Sequence, residues 1–168
     1  IDWNVGRLLR KLEELKVTED TIVVFFHDNG PNGTRWNGDM EGKKGSTEEG
    51  GTRSPLLIRW PKGIKAGTKV MELASVRDLL PTLTALAGIS FKTAKPLDGK
   101  SLKPLLSGEA KAWEPRTLIS SWKGRVGARN QRFRLDHKGR LFDMQKDPGQ
   151  RIDVSEKFPG AALELKKS

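Results

Sequence analysis

Residues 21–30 read TIVVFFHDNG, and this stretch decides the fold class. Its β-branched and aromatic run is typical of a strand buried on both faces of a parallel sheet. An amphipathic helical pattern precedes it over residues 2–16, and a second strand-like run, SPLLIRW, follows over 54–60. A helix leading into a buried strand is half of a β-α-β arrangement, so the sequence predicts an α/β layer fold.

The remaining elements of the first part are mainly helical. Residues 72–76 favour a short strand, 78–88 a helix that ends at Gly88, and 101–107 one or two further helical turns. The composition changes after about Gly108. From there on, short strand-like runs separated by turns predict a small antiparallel sheet, with a hairpin over 134–140 and a closing helix over 155–167. We therefore predict two parts, an α/β part over residues 1–112 and a small sheet-and-helix subdomain over 113–168.

Composition restricts the chemistry that the chain can perform. It has 168 residues, no Cys and no Tyr, which excludes disulfides, thiolate nucleophiles and cysteine metal sites within it. The net charge is +10, but the 31 Lys and Arg are scattered and are not interleaved with aromatic residues. A solvated basic surface or an anionic ligand is therefore expected rather than nucleic acid.

Targeting is not readable from the sequence. No apolar run reaches the ~20 residues of a membrane span, and no signal-peptide pattern opens the chain. The first residue is Ile1 and not Met, so we expect the chain to be a piece of a longer polypeptide.

Asp28 and Asn29 follow the buried run directly, where α/β sheets place their ligands. A carboxylate and an amide carbonyl are hard oxygen donors that suit Ca²⁺ or Mg²⁺. A plain Asx turn ended by Gly30 is the alternative, and it is the commoner meaning of such a dipeptide. Because Ca²⁺ takes roughly 6–8 oxygens, other ligands would have to come from elsewhere.

Residues 28–53 form a long glycine-rich loop that contains Lys44 in KKGSTEEGG. An ammonium group in such a loop suits a phosphate or sulfate oxygen. A solvated loop lysine is an equally common reading of Lys44, and Lys43 is a rival for the same role. The order of residues is not that of a Walker loop. His27 beside the oxygen pair is a candidate proton donor, but a histidine here more often only ends a strand. Arg53 is expected to brace the loop through a salt bridge.

Several pieces of the chain resemble the sulfatase family of the alkaline-phosphatase-like superfamily. They occur in the family's order and cover nearly the whole chain: NVGRLL (4–9), TIVVFFHDNG (21–30), GKKGSTEEGGTRSP (42–55), LLIRWP (56–61), DLLPTLTALAGI (78–89), PLDGKSLKPLL (96–106) and LFDMQKDP (141–148). The resemblance implies an α/β fold: part of an alkaline-phosphatase-like mixed sheet with flanking helices, followed by a small antiparallel sheet and a terminal helix.

The resemblance also implies roles for individual residues. Asp28 and Asn29 match the family's second pair of metal ligands, usually for Ca²⁺, and Lys44 matches the lysine that contacts the sulfate. The run 49–51 and Arg53 match the loop that shapes this side of the site. Position 27 is often Ser or Thr in the family, so the resemblance gives His27 no catalytic role.

The sequence departs from the family at the nucleophile. Family members use a formylglycine made from Cys or Ser in a C/S-x-P-x-R signature, and no such signature occurs here. The remaining metal-ligand aspartates and the acid histidine lie upstream in the family. We therefore interpret the chain as the C-terminal portion of an arylsulfatase-like sulfuric ester hydrolase, inactive alone, that supplies metal ligands and a sulfate-contacting lysine.

Two alternatives stay open. One is a phosphomonoester or phosphonate hydrolase of the same superfamily, and the other is a non-catalytic module that binds polyanions. The expected partner is a small sulfate ester or a sulfated glycan. Binding to nucleic acid or to a membrane is not expected, and the oligomeric state is not predicted. Resemblance to the family implies a secreted, periplasmic or lysosomal location.

Overall fold

A computed structural model describes residues 1–90, 92–110 and 113–168. In chain order its helices and strands are α1 (Asp2–Glu14), β1 (Val23–Phe26), α2 (Glu49–Thr52), β2 (Leu56–Arg59), a 3₁₀ turn (Val76–Asp78), α3 (Leu79–Leu86), α4 (Lys103–Leu106), β3 (Leu118–Trp122), β4 (Arg125–Arg129), β5 (Phe133–Leu135), β6 (Leu141–Asp143) and α5 (Pro159–Lys167). No helix in the described ranges is long and apolar enough to cross a bilayer. The predicted α/β fold class is confirmed.

The chain divides into two compact units, one of residues 1–25 and 56–113 and the other of residues 26–55 and 114–168. The long glycine-rich loop thus belongs to the same unit as the small antiparallel sheet. The division into residues 1–112 and 113–168 that the sequence suggested stays a prediction.

The first unit contains α1, the 3₁₀ turn, α3 and α4. Asp78 is one of its fully buried polar residues, and its carboxylate accepts hydrogen bonds from the backbone N–H groups of Ser75 (2.7 Å) and Lys100 (2.9 Å). These bonds start the helical segment at Ser75. The strand predicted over 72–76 is therefore wrong, since this capping arrangement turns its last residues into the start of a helix.

Strand β1 pairs with β2 in a two-stranded sheet. The strand was predicted to be buried on both faces, but Val23, Val24 and Phe25 are only half-buried and Phe26 is exposed. The difference follows from the size of the sheet, because two strands in the described ranges cover little of either face.

The second unit is built on a four-stranded antiparallel sheet in the order β3-β4-β5-β6. Its core packs Phe133, Leu135 and Leu141 against Leu165 of α5, with Phe158 and Ala162 also in contact. The predicted hairpin over 134–140 is confirmed, and the closing helix predicted over 155–167 is present as Pro159–Lys167. This sheet is the support for the loop that carries the candidate site.

Candidate metal and anion site

The Asp28-Asn29-Gly30 turn is fixed against the backbone of α2. The Gly30 N–H donates to the Gly51 carbonyl oxygen at 2.9 Å. A Cβ atom on Gly30 would lie 1.8 Å from the Gly50 carbonyl oxygen, which no side chain can tolerate. The glycines at this point allow two backbone segments to touch, and this contact sets the position of Asp28 and Asn29.

The side chains of Asp28 and Asn29 are open to a ligand. Asp28 is exposed and Asn29 is half-buried. In the described part of the chain, no hydrogen bond or ion pair occupies either side chain. Their carboxylate and amide oxygens are donors of the kind that Ca²⁺ and Mg²⁺ prefer, so the donor set fits a hard cation.

The described residues contain no cluster of acidic or histidine side chains that would complete a metal site around this pair. Across residues 1–90, 92–110 and 113–168, no group of three or more His, Asp or Glu side chains could hold a metal ion. The pair therefore offers two donors of the roughly six to eight that Ca²⁺ takes.

Lys44 lies on the same closed loop as the oxygen pair. Its backbone N–H donates to the Pro31 carbonyl at 2.8 Å, and the Gly50 N–H donates to the Glu41 carbonyl at 2.7 Å. Its side chain is exposed, as is that of Lys43. Lys44 lines a cavity of about 400 Å³, which Asp28 and Asn29 do not line.

A buried carboxylate anchors α2 to the small sheet. Glu49 is 5% exposed, and its Oε2 lies 3.0 Å from Arg134 Nη1 and 3.4 Å from Arg129 Nε. Its backbone N–H donates to Gln150 Oε1 at 2.8 Å. The Arg134 guanidinium also donates to the Thr47 carbonyl oxygen. The start of α2 is therefore attached to β4, β5 and the segment after β6.

Burial governs the ionisation of the two arginines. It lowers the pKa of Arg134 and of Arg129 from the ordinary arginine value, because a desolvated guanidinium is less favourable as a cation. The Glu49 carboxylate opposes this shift, so it is the charge that lets two guanidinium groups occupy this interior.

Arg53 behaves as the sequence predicted. Its guanidinium lies 3.6 Å from Glu49 Oε1, so the expected bracing salt bridge is confirmed. Its side chain is 59% exposed, however, and such a pair contributes about 0–1 kcal/mol. The stronger anchor is Arg134, whose side chain is 3% exposed.

The two histidines differ in their surroundings. His27 is exposed, and its backbone carbonyl accepts a hydrogen bond from Ser54 Oγ at 2.9 Å. His137 lies in the β5–β6 hairpin, where Nδ1 is 3.7 Å from Glu48 Oε1, and it lines the same cavity as Lys44.

The sequence matches the family profile named Sulfatase over residues 1–89, which is more than half of the chain. The chain belongs to the sulfatase family. Mouse steryl-sulfatase is 40% identical over 129 residues, covering 71% of this chain and 21% of that protein. Human arylsulfatase A is 44% identical over 117 residues, covering 67% and 23%. The chain therefore spans about a fifth to a quarter of the length of these sulfatases.

Solved structures give the same fold assignment. Ps i-CgsB in complex with k-i-k-neocarrahexaose has a TM-score of 0.84 and 28% identity, with 99% of this chain and 39% of that chain covered. BT4656 in complex with its substrate D-glucosamine-2-N,6-O-disulfate has a TM-score of 0.72 and 28% identity, with 99% and 36% covered. A phosphonate monoester hydrolase of Agrobacterium radiobacter has a TM-score of 0.76 and 27% identity, with 99% and 37% covered.

Sequence reasoning missed Arg129, Arg134 and Gln150, which contact Glu49. They lie 80 or more residues away from it along the chain, so no local motif joins them. One local signal did exist. Arg134 sits between Phe133 and Leu135 in a short strand, where a charged residue flanked by core residues indicates a buried ion pair.

Proposed function

We propose that this chain supplies the stabilising part of a sulfuric ester hydrolase site. Asp28 and Asn29 would bind Ca²⁺, or Mg²⁺ in its place, Lys44 would contact the sulfate group, and Arg53 would bind the substrate together with Lys44. The observation that carries the proposal is the open Asp28-Asn29 pair on a turn that Gly30 locks onto α2, with Lys44 on the same closed loop.

The chemistry follows from charge. When bound, the divalent cation supplies positive charge at the sulfuryl oxygens, and the formylglycine of the family supplies the attacking oxygen. Lys44 adds a cation on a loop whose backbone is held by hydrogen bonds, so little reorganisation is needed as negative charge develops on the sulfate. Asp28 and Asn29 hold and orient the cation. His27 is proposed as a proton donor because it directly precedes Asp28 in the sequence.

The chain alone should not turn over sulfate esters, because its sequence contains no C/S-x-P-x-R signature. We expect no hydrolysis of 4-nitrophenyl sulfate by the 168-residue chain, and turnover by it would refute this. We also expect the coding sequence upstream of Ile1 to encode the signature and further aspartates. A secreted, periplasmic or lysosomal location is proposed with it, and localisation of the tagged protein tests this.

Two exposed lysines provide the sharpest test of the site. In the chain joined to its upstream polypeptide, Lys44→Ala should lower kcat/KM for a sulfate ester by about 100-fold or more, the typical cost of one lost transition-state contact. Lys166→Ala removes the same charge from an exposed position on α5 of the same unit and should change kcat/KM less than threefold. Equal losses in the two variants would overturn the assignment of Lys44.

The metal assignment is tested separately. Asp28→Ala and Asn29→Ala should raise the Ca²⁺ concentration needed for half-maximal activity, because each removes one oxygen donor. Asp98→Ala is the matched control, since Asp98 is exposed and outside the loop. A calcium requirement that is unchanged in both site variants would exclude the oxygen pair from the metal.

The similarity to a phosphonate monoester hydrolase keeps a second reaction open. A cation and a lysine serve phosphoryl and sulfuryl oxygens alike, so the described residues do not select between them. A lone Thr or Ser nucleophile upstream, with additional His and Asp ligands, would indicate the phosphoryl reaction.

The net charge of +10 motivates the third reading, a polyanion-binding module without catalysis. Binding to sulfated glycans would then be steeply salt-dependent and unaffected by Lys44→Ala or Asp28→Ala.

A further inference from the structure

Three backbone segments of one compact unit form the cavity beside Lys44. The glycine-rich loop forms one wall, the tip of the β3–β4 hairpin the second, and the β5–β6 hairpin turn the third. The lining residues on the two hairpins are Arg125, His137, Lys138 and Arg140.

Local turn geometry and local hydrogen bonds fix the tips of both hairpins. Lys123 and Gly124 join β3 to β4 with φ values of 48° and 76°, the left-handed pair that a tight two-residue turn requires. In the β5–β6 turn, the buried Asp136 carboxylate accepts hydrogen bonds from the backbone N–H groups of Lys138 and Arg140, each at 2.9 Å. The cavity walls are therefore preformed.

The lining of the cavity is polar and mainly cationic. Arg140 is held by Asp136 at 2.8 Å, whereas Lys43, Arg125 and Lys138 have no hydrogen bond or ion pair from their side chains in the described ranges. Two carboxylates, those of Glu41 and Glu48, also line the cavity. Apart from glycines, every lining residue among those described is charged or polar, and most of the charged ones are cationic, so an anionic group can find partners here.

An aromatic ring lies against Gly45, one of the glycines in the loop wall. Trp122, which pairs with Arg125 across the hairpin, is 51% exposed. Its Nε1 lies 3.6 Å from the position that a Cβ atom on Gly45 would take, so the indole lies against the loop wall. An indole offers a flat apolar face and one N–H donor, which together suit a sugar ring.

We propose that this cavity binds a second anionic group of the substrate, held by Lys43, Arg125 and Lys138 while Lys44 contacts the sulfate that is cleaved. The substrate class is then a sugar with at least two anionic groups, and not an aryl or steryl monosulfate whose alcohol part carries no charge. This deepens the proposed function and rests on it for the role of Lys44. In this proposal the cationic side chains of the two hairpins determine which substrate binds, and Lys44 on the loop contacts the sulfate that is cleaved.

Binding to the 168-residue chain tests the inference without activity. Calorimetric titrations would use D-glucosamine-2-N,6-O-disulfate, D-glucosamine 6-O-sulfate and 4-nitrophenyl sulfate as probes. We expect the disulfate to bind about tenfold more tightly than the monosulfate, the worth of one added charge-assisted contact. The Arg125→Ala/Lys138→Ala variant should reduce this ratio to near one. Lys65→Ala/Lys69→Ala removes the same charge at exposed positions in the other unit and should preserve the ratio.

The outcomes separate the two proposals. An equal affinity for the disulfate and the monosulfate, or no binding of either at millimolar concentration, would overturn the cavity inference. A ratio that falls equally in the control double variant would also overturn it, because general charge attraction would then explain the preference. If Lys44→Ala leaves both affinities unchanged while Arg125→Ala/Lys138→Ala removes the preference, the cavity inference stands and the role of Lys44 fails.

Discussion

Glu49→Gln is the substitution whose cost the structure defines most clearly. Amide and carboxylate have nearly the same shape, so the change removes charge with little change in packing. It leaves the buried guanidinium groups of Arg134 and Arg129 without their counter-charge, with side chains only 3% and 12% exposed. Removing one partner of a buried ion pair costs about 3–5 kcal/mol. The exposed Arg53 adds about 0–1 kcal/mol.

Urea denaturation followed by circular dichroism measures this loss. With a slope of about 2 kcal/mol per molar urea, a loss of about 3 kcal/mol moves the midpoint down by about 1.5 M. Glu41→Gln is the control in the same loop, because Glu41 is exposed and its carboxylate has no ion pair within the described ranges. It should move the midpoint by less than about 0.25 M.

A double variant distinguishes the ion pair from a general packing effect. Arg134→Met together with Glu49→Gln removes both charges, so the combined loss should be smaller than the sum of the two single losses by at least about 1.5 kcal/mol. Strictly additive losses, or a Glu49→Gln midpoint equal to that of Glu41→Gln, would refute the reasoning that this pair anchors α2.

Two further predictions concern the backbone contact and acid stability. Gly30→Ala should destabilise the chain by about 1–3 kcal/mol, because its Cβ would overlap the Gly50 carbonyl oxygen. It should also weaken the calcium dependence of the activity in the extended polypeptide. Gly33→Ala should have neither effect, since a Cβ there would meet no atom within 4 Å. Unfolding temperatures of the two variants check this, and similar values would contradict it. Burial alone would raise the pKa of Asp143, but hydrogen bonds from Arg132 and from the backbone lower it overall. This carboxylate therefore stabilises the folded state above about pH 4, and its contribution is lost as the pH falls through the folded pKa. Thermal unfolding between pH 3 and 6 should therefore show a shallower pH dependence in Asp143→Asn, and an unchanged slope would exclude the role of this group.

Much of the fold could be predicted from short stretches of sequence, because contacts between neighbouring residues determine those helices and turns. The Asp136 and Gly139 pattern predicted the β5–β6 hairpin, since a side-chain acceptor and a left-handed glycine close such turns without help from the rest of the chain. The open Asp28-Asn29 pair could likewise be proposed as a site from its place after β1, although its role stays a prediction.

Long-range charge and shape could not be predicted in the same way. Glu49 gave no sign that its partner would be Arg134, because the pairing depends on how β5 approaches α2. Lys44 could be named from its loop, yet the cationic cavity around it requires Arg125 and Lys138 from two hairpins far along the chain. Residues 72–76 were misassigned because the Ser75 N–H donates a capping hydrogen bond to the Asp78 carboxylate, and this start of a helix overrides their strand propensity.

The way the two hairpin tips are held has a consequence for evolvability. Turn geometry and the buried Asp136 carboxylate fix the frame, while the side chains of Arg125 and Lys138, which line the cavity, take no part in holding it. Exchanging those residues should therefore alter ligand preference at little cost in foldedness. Directed libraries at these few codons offer a route to new specificities on an unchanged scaffold, and natural divergence could follow the same route.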